Sequence, residues 1–203
     1  KILKNKFSEK ANILDDYFSK AFQSLNKVSD NSGSLIQKDN PQIESAHKYL
    51  DYCLNTQRQK AVNLILDLAE NGVSVKSIYL NIFQPVQQEL GRLWHINEIN
   101  VAEEHFCTSV TQLAMAQLYP YILSNKEDKV TCITTCVGDE LHELGIRMIA
   151  DLLEMEGYNT IHLGANTPDK SILSKIEKEN ASFLGISATL PLHTRKAEEL
   201  IKK

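Results

Sequence analysis

His142 stands two residues after Glu140 and three before Gly145, in the run Gly138-Asp139-Glu140-Leu141-His142-Glu143-Leu144-Gly145. A histidine on a strand-to-helix loop can ligate a metal through one ring nitrogen. A carboxylate two residues earlier can hold the proton of the other nitrogen and so set ring orientation and basicity. Gly145, without a Cβ, lets a large flat group come close to the backbone. By itself the stretch reads equally as an acid-rich first helical turn complementing the helix dipole.

Two further loops offer small, polar material. Leu163-Gly164-Ala165-Asn166-Thr167-Pro168 holds a glycine for a tight turn with backbone donors near a ligand, and a proline suited to the first helical position. Ser187 and Thr189, in Gly185-Ile186-Ser187-Ala188-Thr189-Leu190, bring hydroxyls that would line a slot for a polar or nucleotide-like tail. Ordinary turn chemistry also accounts for each loop separately. A fourth group lies earlier: Trp94-His95, then Val101, Glu104 and His105. At about 100° per residue, Val101, Glu104, His105 and Thr108 share one helix face, and the short loop 96–100 folds Trp94 back toward it. The product is an apolar lid with an aromatic plane, a carboxylate and an imidazole. The alternative is a core tryptophan beside a solvated Glu-His pair. Arg92 reads as a helix-surface residue or a ligand contact, and His47, His162 and His193 have no partner pattern.

The elements that must position these groups fall into two halves. In the first half, apolar residues recur at helical spacing over 7–27, 43–54, 57–70, 75–93 and 101–123, with Asn71-Gly72 closing one helix and Pro120 another. Residues 29–41 read as a linker by composition. Short connections between the last four helices predict an antiparallel bundle. The second half changes period: a β-branched strand at 129–135, a helix over 141–156 ended by Gly157, a strand at 160–163, a helix from Pro168 to 180, and a strand at 183–187. Strands joined by helical crossovers predict a parallel, doubly wound sheet of the Rossmann-like or flavodoxin-like kind, which binds ligands beyond its C-terminal strand ends. The expected fold is therefore α/β plus all-α: a connector helix and linker over 1–40, a four-helix-bundle cap over 41–125, and a sheet domain over 126–203 that stops after its third strand.

Composition sets the outer bounds. With 203 residues, 42% hydrophobic, the chain can build a core and is not disordered throughout. No apolar run approaches the roughly 20 residues of a membrane span, and no signal peptide opens the chain. A net charge of −4 argues against a nucleic-acid surface in this piece. Cys53, Cys107, Cys132 and Cys136 fit neither a disulfide framework nor a CxxC zinc site, so a reducing cytoplasm and buried thiols are expected. The chain opens on Lys1, and an upstream segment is expected.

Glu140-x-His142-x-x-Gly145, then Leu163-Gly164 through Pro168, then Ser187-x-Thr189, resemble in order and spacing the cobalamin-binding domain family. The resemblance implies that His142 is the lower axial cobalt ligand, replacing the cofactor's own dimethylbenzimidazole, and that this base inserts beside Ser187 and Thr189. The family usually carries Asp where this chain has Glu140. It also runs to five strands with a later Gly-Gly turn, and neither the last two strands nor that turn is found here. In the cap, Trp94-x9-Glu104-His105 with Val101 is similar above all to light-sensing, adenosylcobalamin-dependent photoreceptor regulators, in which the Trp packs over the adenosyl group. His95 stands where a histidine of that group moves onto cobalt after photolysis.

The resemblance implies a sensory module for signal transduction and transcription regulation rather than an enzyme. It would hold adenosylcobalamin base-off and His-on between cap and sheet, with light cleaving the cobalt–carbon bond to drive a conformational or oligomeric switch. A homo-oligomer and an upstream output domain are the implied partners. The alternatives are a corrinoid carrier of a methyltransferase system, with methylcobalamin or another cobalamin, and a haem- or redox-sensing relative.

Overall fold

The computed structural model describes residues 33–122 and 130–203, in which Ile36–Lys203 form one compact unit. The expected connector helix over 7–27, the start of the linker and Lys129 lie outside the described residues. The end of the linker does more than connect: Ile36 is buried and Asn40 Nδ2 donates to the Asn81 carbonyl at 2.7 Å.

The cap consists of α1 (Ile43–Leu54), α2 (Arg58–Glu70), a broken third helix and α5 (Val101–Leu118). The expected single helix over 75–93 is α3 (Val75–Ile78), a π-helical turn (Tyr79–Phe83) and α4 (Gln84–His95). Pro85 supplies the reason. It has no N–H for the Asn81 carbonyl four residues back and its ring crowds that carbonyl. A wider turn relieves the crowding, and the Asn40 side chain takes the freed oxygen. Tyr49, Tyr79 and Phe83 form the aromatic centre of the cap, with ring centroids 5.4 and 5.7 Å apart along the series Tyr49–Phe83–Tyr79. Asn100 and Glu103 make a reciprocal capping box at the start of α5, and Leu118 passes into a 3-10 turn at Tyr119–Tyr121 because Pro120 cannot continue the helix.

The second half is β1 (Thr131–Cys136), α6 (Leu144–Met155), β2 (Asn159–Gly164), α7 (Asp169–Lys178), β3 (Phe183–Ser187), a 3-10 turn (Pro191–His193) and α8 (Thr194–Ile201). All strand pairs are parallel and the order is β2-β1-β3, with Thr134 opposite His162 and Cys136 opposite Ser187. Central β1 is buried along nearly its whole length, as a strand covered on both faces must be. The chain leaves β1 toward β2 on one side and returns to β3 on the other, so the strand order switches direction between β1 and β3. The helix expected from 141 begins at Leu144, and Pro168 is the residue before α7 rather than its first. Among the described residues, no helix is long and apolar enough to cross a membrane.

Candidate functional site

The loop that leaves β1 is organised by a buried anion. Glu140 has no solvent exposure, and its two oxygens divide their partners. Oε1 accepts the His142 backbone N–H at 3.0 Å and lies 2.5 Å from His142 Nδ1. Oε2 accepts the Thr189 and Leu190 amides at 2.8 and 3.2 Å and lies 2.9 Å from His193 Nδ1. Burial alone would raise the Glu140 pKa, but the bonds from His193, His142 and Thr189 outweigh it and hold the carboxyl at about 2. Glu140 is thus a carboxylate, which only accepts, so both histidines donate to it through Nδ1–H. These bonds also keep residues 141–143 out of the helix, which overturns the reading of the stretch as an acid-rich helical turn.

His142 is 61% exposed at its side chain, while the carboxylate holding it is fully enclosed. A neutral ring with Nδ1 protonated keeps its lone pair on Nε2, the nitrogen that Glu140 does not hold. Among the described residues, no group of three or more His, Cys, Asp or Glu is arranged to cage a metal ion. One oriented imidazole without companion ligands suits a metal whose other positions are filled by a macrocycle. Gly145, second residue of α6, faces open space where a Cβ would stand. On these three observations the donor set fits a corrinoid.

The two neighbouring loops are drawn in as well. Ser187 closes β3, its carbonyl taking the Val137 amide at 3.0 Å, and Thr189 joins the cluster through its backbone. Gly164 has φ +70, which glycine adopts at no steric cost. At this turn the Ala165 N–H goes to Glu143 Oε2 at 3.0 Å. His162, behind the turn, lies 3.0 Å from the Thr134 hydroxyl, and burial lowers its pKa.

In the cap, Trp94 and His95 end α4 and are exposed, Trp94 by 50%, so Trp94 is not the core tryptophan of the bundle. Val101 opens α5 with half its surface free. Glu104 and His105 approach each other at 3.7 Å, and Glu104 Oε1 accepts the Thr108 hydroxyl at 2.8 Å. Behind Thr108 a polar chain runs inward. Gln87 Oε1 lies 3.3 Å from the Thr108 hydroxyl, Gln87 Nε2 donates to Thr111 at 2.8 Å, and Thr111 meets the buried Tyr49 hydroxyl at 3.1 Å. Glu104 is therefore the outer end of a braced network, not an isolated surface acid. Arg92 is not a free surface residue: it bonds the buried Glu89 at 2.6 and 3.1 Å.

Among the described residues, polar contacts between cap and sheet include Tyr79 to Asp151 at 2.7 Å, Tyr119 to Glu154 at 3.0 Å and Gln112 to Glu143 at 3.4 Å. Since Glu143 follows His142, the last contact sets α5 beside the histidine loop. Glu104 stands eight residues up α5 from Gln112, about 12 Å along the helix axis. All four cysteines are free and buried. Burial pushes the Cys132 and Cys136 thiols up to about 12 and about 11, leaving neither a thiolate nucleophile.

His193 escaped the sequence reading because its partner lies 53 residues away. Its position four after Thr189 was the one local signal.

Two family models, both described as B12 binding domain, match residues 45–119 and 130–203. A corrinoid protein of Desulfitobacterium hafniense (strain Y51) is 26% identical over 150 residues, covering 71% of this chain. The chain spans 65% of that relative's length. The solved structure of a monomethylamine corrinoid protein from Methanosarcina barkeri aligns with a TM-score of 0.70 at 19% identity, over 79% of this chain and 77% of that one. A cobalamin-binding protein from Desulfitobacterium hafniense DCB-2 aligns at 0.40 and 19%, over 77% and 75%. The first structural likeness establishes a shared fold of helical cap and parallel sheet.

Proposed function

We propose, from the premise that this chain belongs to the cobalamin-binding domain family, that it is a corrinoid carrier: a protein that holds a cobalamin between cap and sheet and presents it to a methyltransferase. It is not itself the catalyst in this reading. The observation that carries it is the exposed His142 ring held at Nδ1 by a fully buried carboxylate, at the point where the strand order switches. The name of the curated relative, a corrinoid protein, supports the holding of a corrinoid by this chain.

When bound, the cofactor supplies a cobalt centre able to accept and release a methyl group. The chain's own residues do the holding. His142 Nε2 would hold the cobalt, and Glu140, bonded to Nδ1, would keep the ring from rotating away. Ser187 and Thr189 would contact the nucleotide tail, and Gly145, with nothing near the place of its missing Cβ, would let the corrin come close. Trp94, Val101, Glu104 and His105 would cover the cofactor from the cap side and exclude water.

Light sensing with adenosylcobalamin is the second reading, favoured by the half-exposed Trp94 and the exposed His95 beside it. There His95 would become the upper ligand after photolysis, and the response would pass to an upstream output domain or an oligomer interface. The two readings separate in one experiment. The protein is loaded in the dark with methylcobalamin or adenosylcobalamin, its affinity for each measured, and each sample sized before and after green light. A carrier binds both forms comparably and keeps its oligomeric state on illumination. A strong adenosyl preference with a light-dependent change of size overturns the carrier reading in favour of the sensor.

A further inference from the structure

We propose that Cys53 and Cys107 form a redox-sensitive clasp of the cap, in which hydrogen peroxide joins the two thiols in a reversible disulfide that bolts α1 to α5. The inference concerns the cap alone and does not depend on which cofactor the chain holds.

Helical register sets the two residues opposite each other. The Tyr49 hydroxyl of α1 lies 3.1 Å from the Thr111 hydroxyl of α5. Cys53 stands one turn beyond Tyr49, and Cys107 one turn before Thr111, whose hydroxyl donates to the Cys107 carbonyl at 3.1 Å. The first and fourth helices of an antiparallel bundle run in opposite directions, so one turn forward on α1 meets one turn back on α5. The two thiols accordingly interact directly, sulfur to sulfur, inside the bundle. Both are buried. Cys132 and Cys136 offer a contrast: four residues apart on one extended strand, they stand about 13 Å from each other, beyond the reach of a disulfide.

The surroundings divide the roles within the pair. Cys53 is the last residue but one of α1, where the negative end of the helix dipole opposes a thiolate. The bond from its partner sulfur, with burial, pushes the Cys53 thiol far up, while the same bond lowers Cys107. Cys107 is therefore the nucleophile. Its thiolate attacks one oxygen of the peroxide, the O–O bond breaks, hydroxide leaves and a sulfenic acid forms on Cys107. The Cys53 sulfur then attacks Cys107 Sγ, the S–S bond forms, the S–O bond breaks, and the thiol proton leaves with the hydroxyl as water. The sulfurs lose two electrons and the peroxide gains them. Access comes through the turn between α1 and α2. There Thr56, exposed and β-branched, is held at φ 55, and its amide donates to the Cys53 carbonyl at 3.1 Å. A strained turn opens more readily than the helices it joins, and its opening frees the end of α1 that carries Cys53.

The test treats the reduced full chain with stoichiometric hydrogen peroxide and alkylates the remaining thiols. Intact mass, a peptide map and the melting temperature are then read. The expected product has lost two hydrogens, links Cys53 to Cys107, and carries alkylated Cys132 and Cys136. Its melting temperature is expected to rise by at least about 5 °C, because the cross-link closes a long loop of the unfolded chain. Dithiothreitol is expected to reverse the link and the rise together. In Cys53→Ala the same treatment is expected to leave added oxygen on Cys107 and no rise. Should that variant fail to fold, the map and its reversal in the unaltered chain decide. An unlinked pair, a link through Cys132 or Cys136 or between two chains, or a link without a rise in melting temperature overturns the proposal.

Discussion

Tyr79 donates its phenolic proton to Asp151 Oδ2 at 2.7 Å, and that bond joins the π turn of the cap to the first helix of the sheet domain. Burial raises the Asp151 pKa above the ordinary 3.8, while Tyr79 and then Arg147 pull it down. Replacing Tyr79 with Phe removes one of these counterweights and leaves a half-buried carboxylate short of a donor. The expected loss is about 1–3 kcal/mol of stability at neutral pH. A carboxyl raised in the folded state costs stability as pH climbs from 3.8 through its folded value, so the deficit of Y79F is expected to shrink below about pH 4. Thermal melts across pH 3–7 check both points.

Glu140 runs the other way. Its carboxyl sits at about 2 against an ordinary 4.5, so its contribution is full above 4.5 and is lost as pH falls toward 2. That contribution is on the order of 3 kcal/mol. Glu140→Gln is expected to be less stable than the native chain at pH 7 and to show a flatter acid limb, as measured by urea midpoints between pH 2 and 7.

How much of this was open to reading follows from the range of each interaction. Glu140 and His142 are two residues apart and announced their pairing directly, and the ends of the second and third strands were legible to within one residue. The helical cap and the three parallel strands were legible from periodicity, because each buries a face or a whole strand. The π turn was not, since the apolar pattern runs through Pro85 without a break and the compensating Asn40 lies 41 residues upstream of its partner. The late start of α6 at Leu144 was hidden because the pattern from Leu141 is helical and only the buried Glu140, with donors from Thr189, Leu190 and His193, pulls the loop away from it. Long-range polar contacts leave no period in a sequence.

Gly164 gives a third expectation. A Cβ there would meet Glu143 Oε2 at 3.0 Å, on a backbone with φ +70. Gly164→Ala is expected to cost about 1–2 kcal/mol from the left-handed conformation and more from displacing Glu143. In a G164A/E143A pair the second part disappears, so the double variant should be more stable than the sum of the two losses, as a double-mutant cycle of melting data would show.

Trp94 tests the cap. With half its surface already in solvent, Trp94→Ala is expected to shift stability by less than about 1 kcal/mol. On our reading the ring covers the upper side of the cofactor, so cobalamin affinity should fall at least about tenfold, or roughly 1.4 kcal/mol. Spectrophotometric titration with methylcobalamin measures it.

The central claim is that His142 holds cobalt in place of the cofactor's own base. Protein grown with nitrogen-15 histidine, loaded with unlabelled cobalamin and reduced to Co(II), gives the direct measurement. The account predicts that the axial-nitrogen splitting changes from the triplet of nitrogen-14 to the doublet of nitrogen-15, and that His142→Ala abolishes the doublet. A triplet that persists in the labelled protein would mean that the dimethylbenzimidazole stays on cobalt, and would contradict the account.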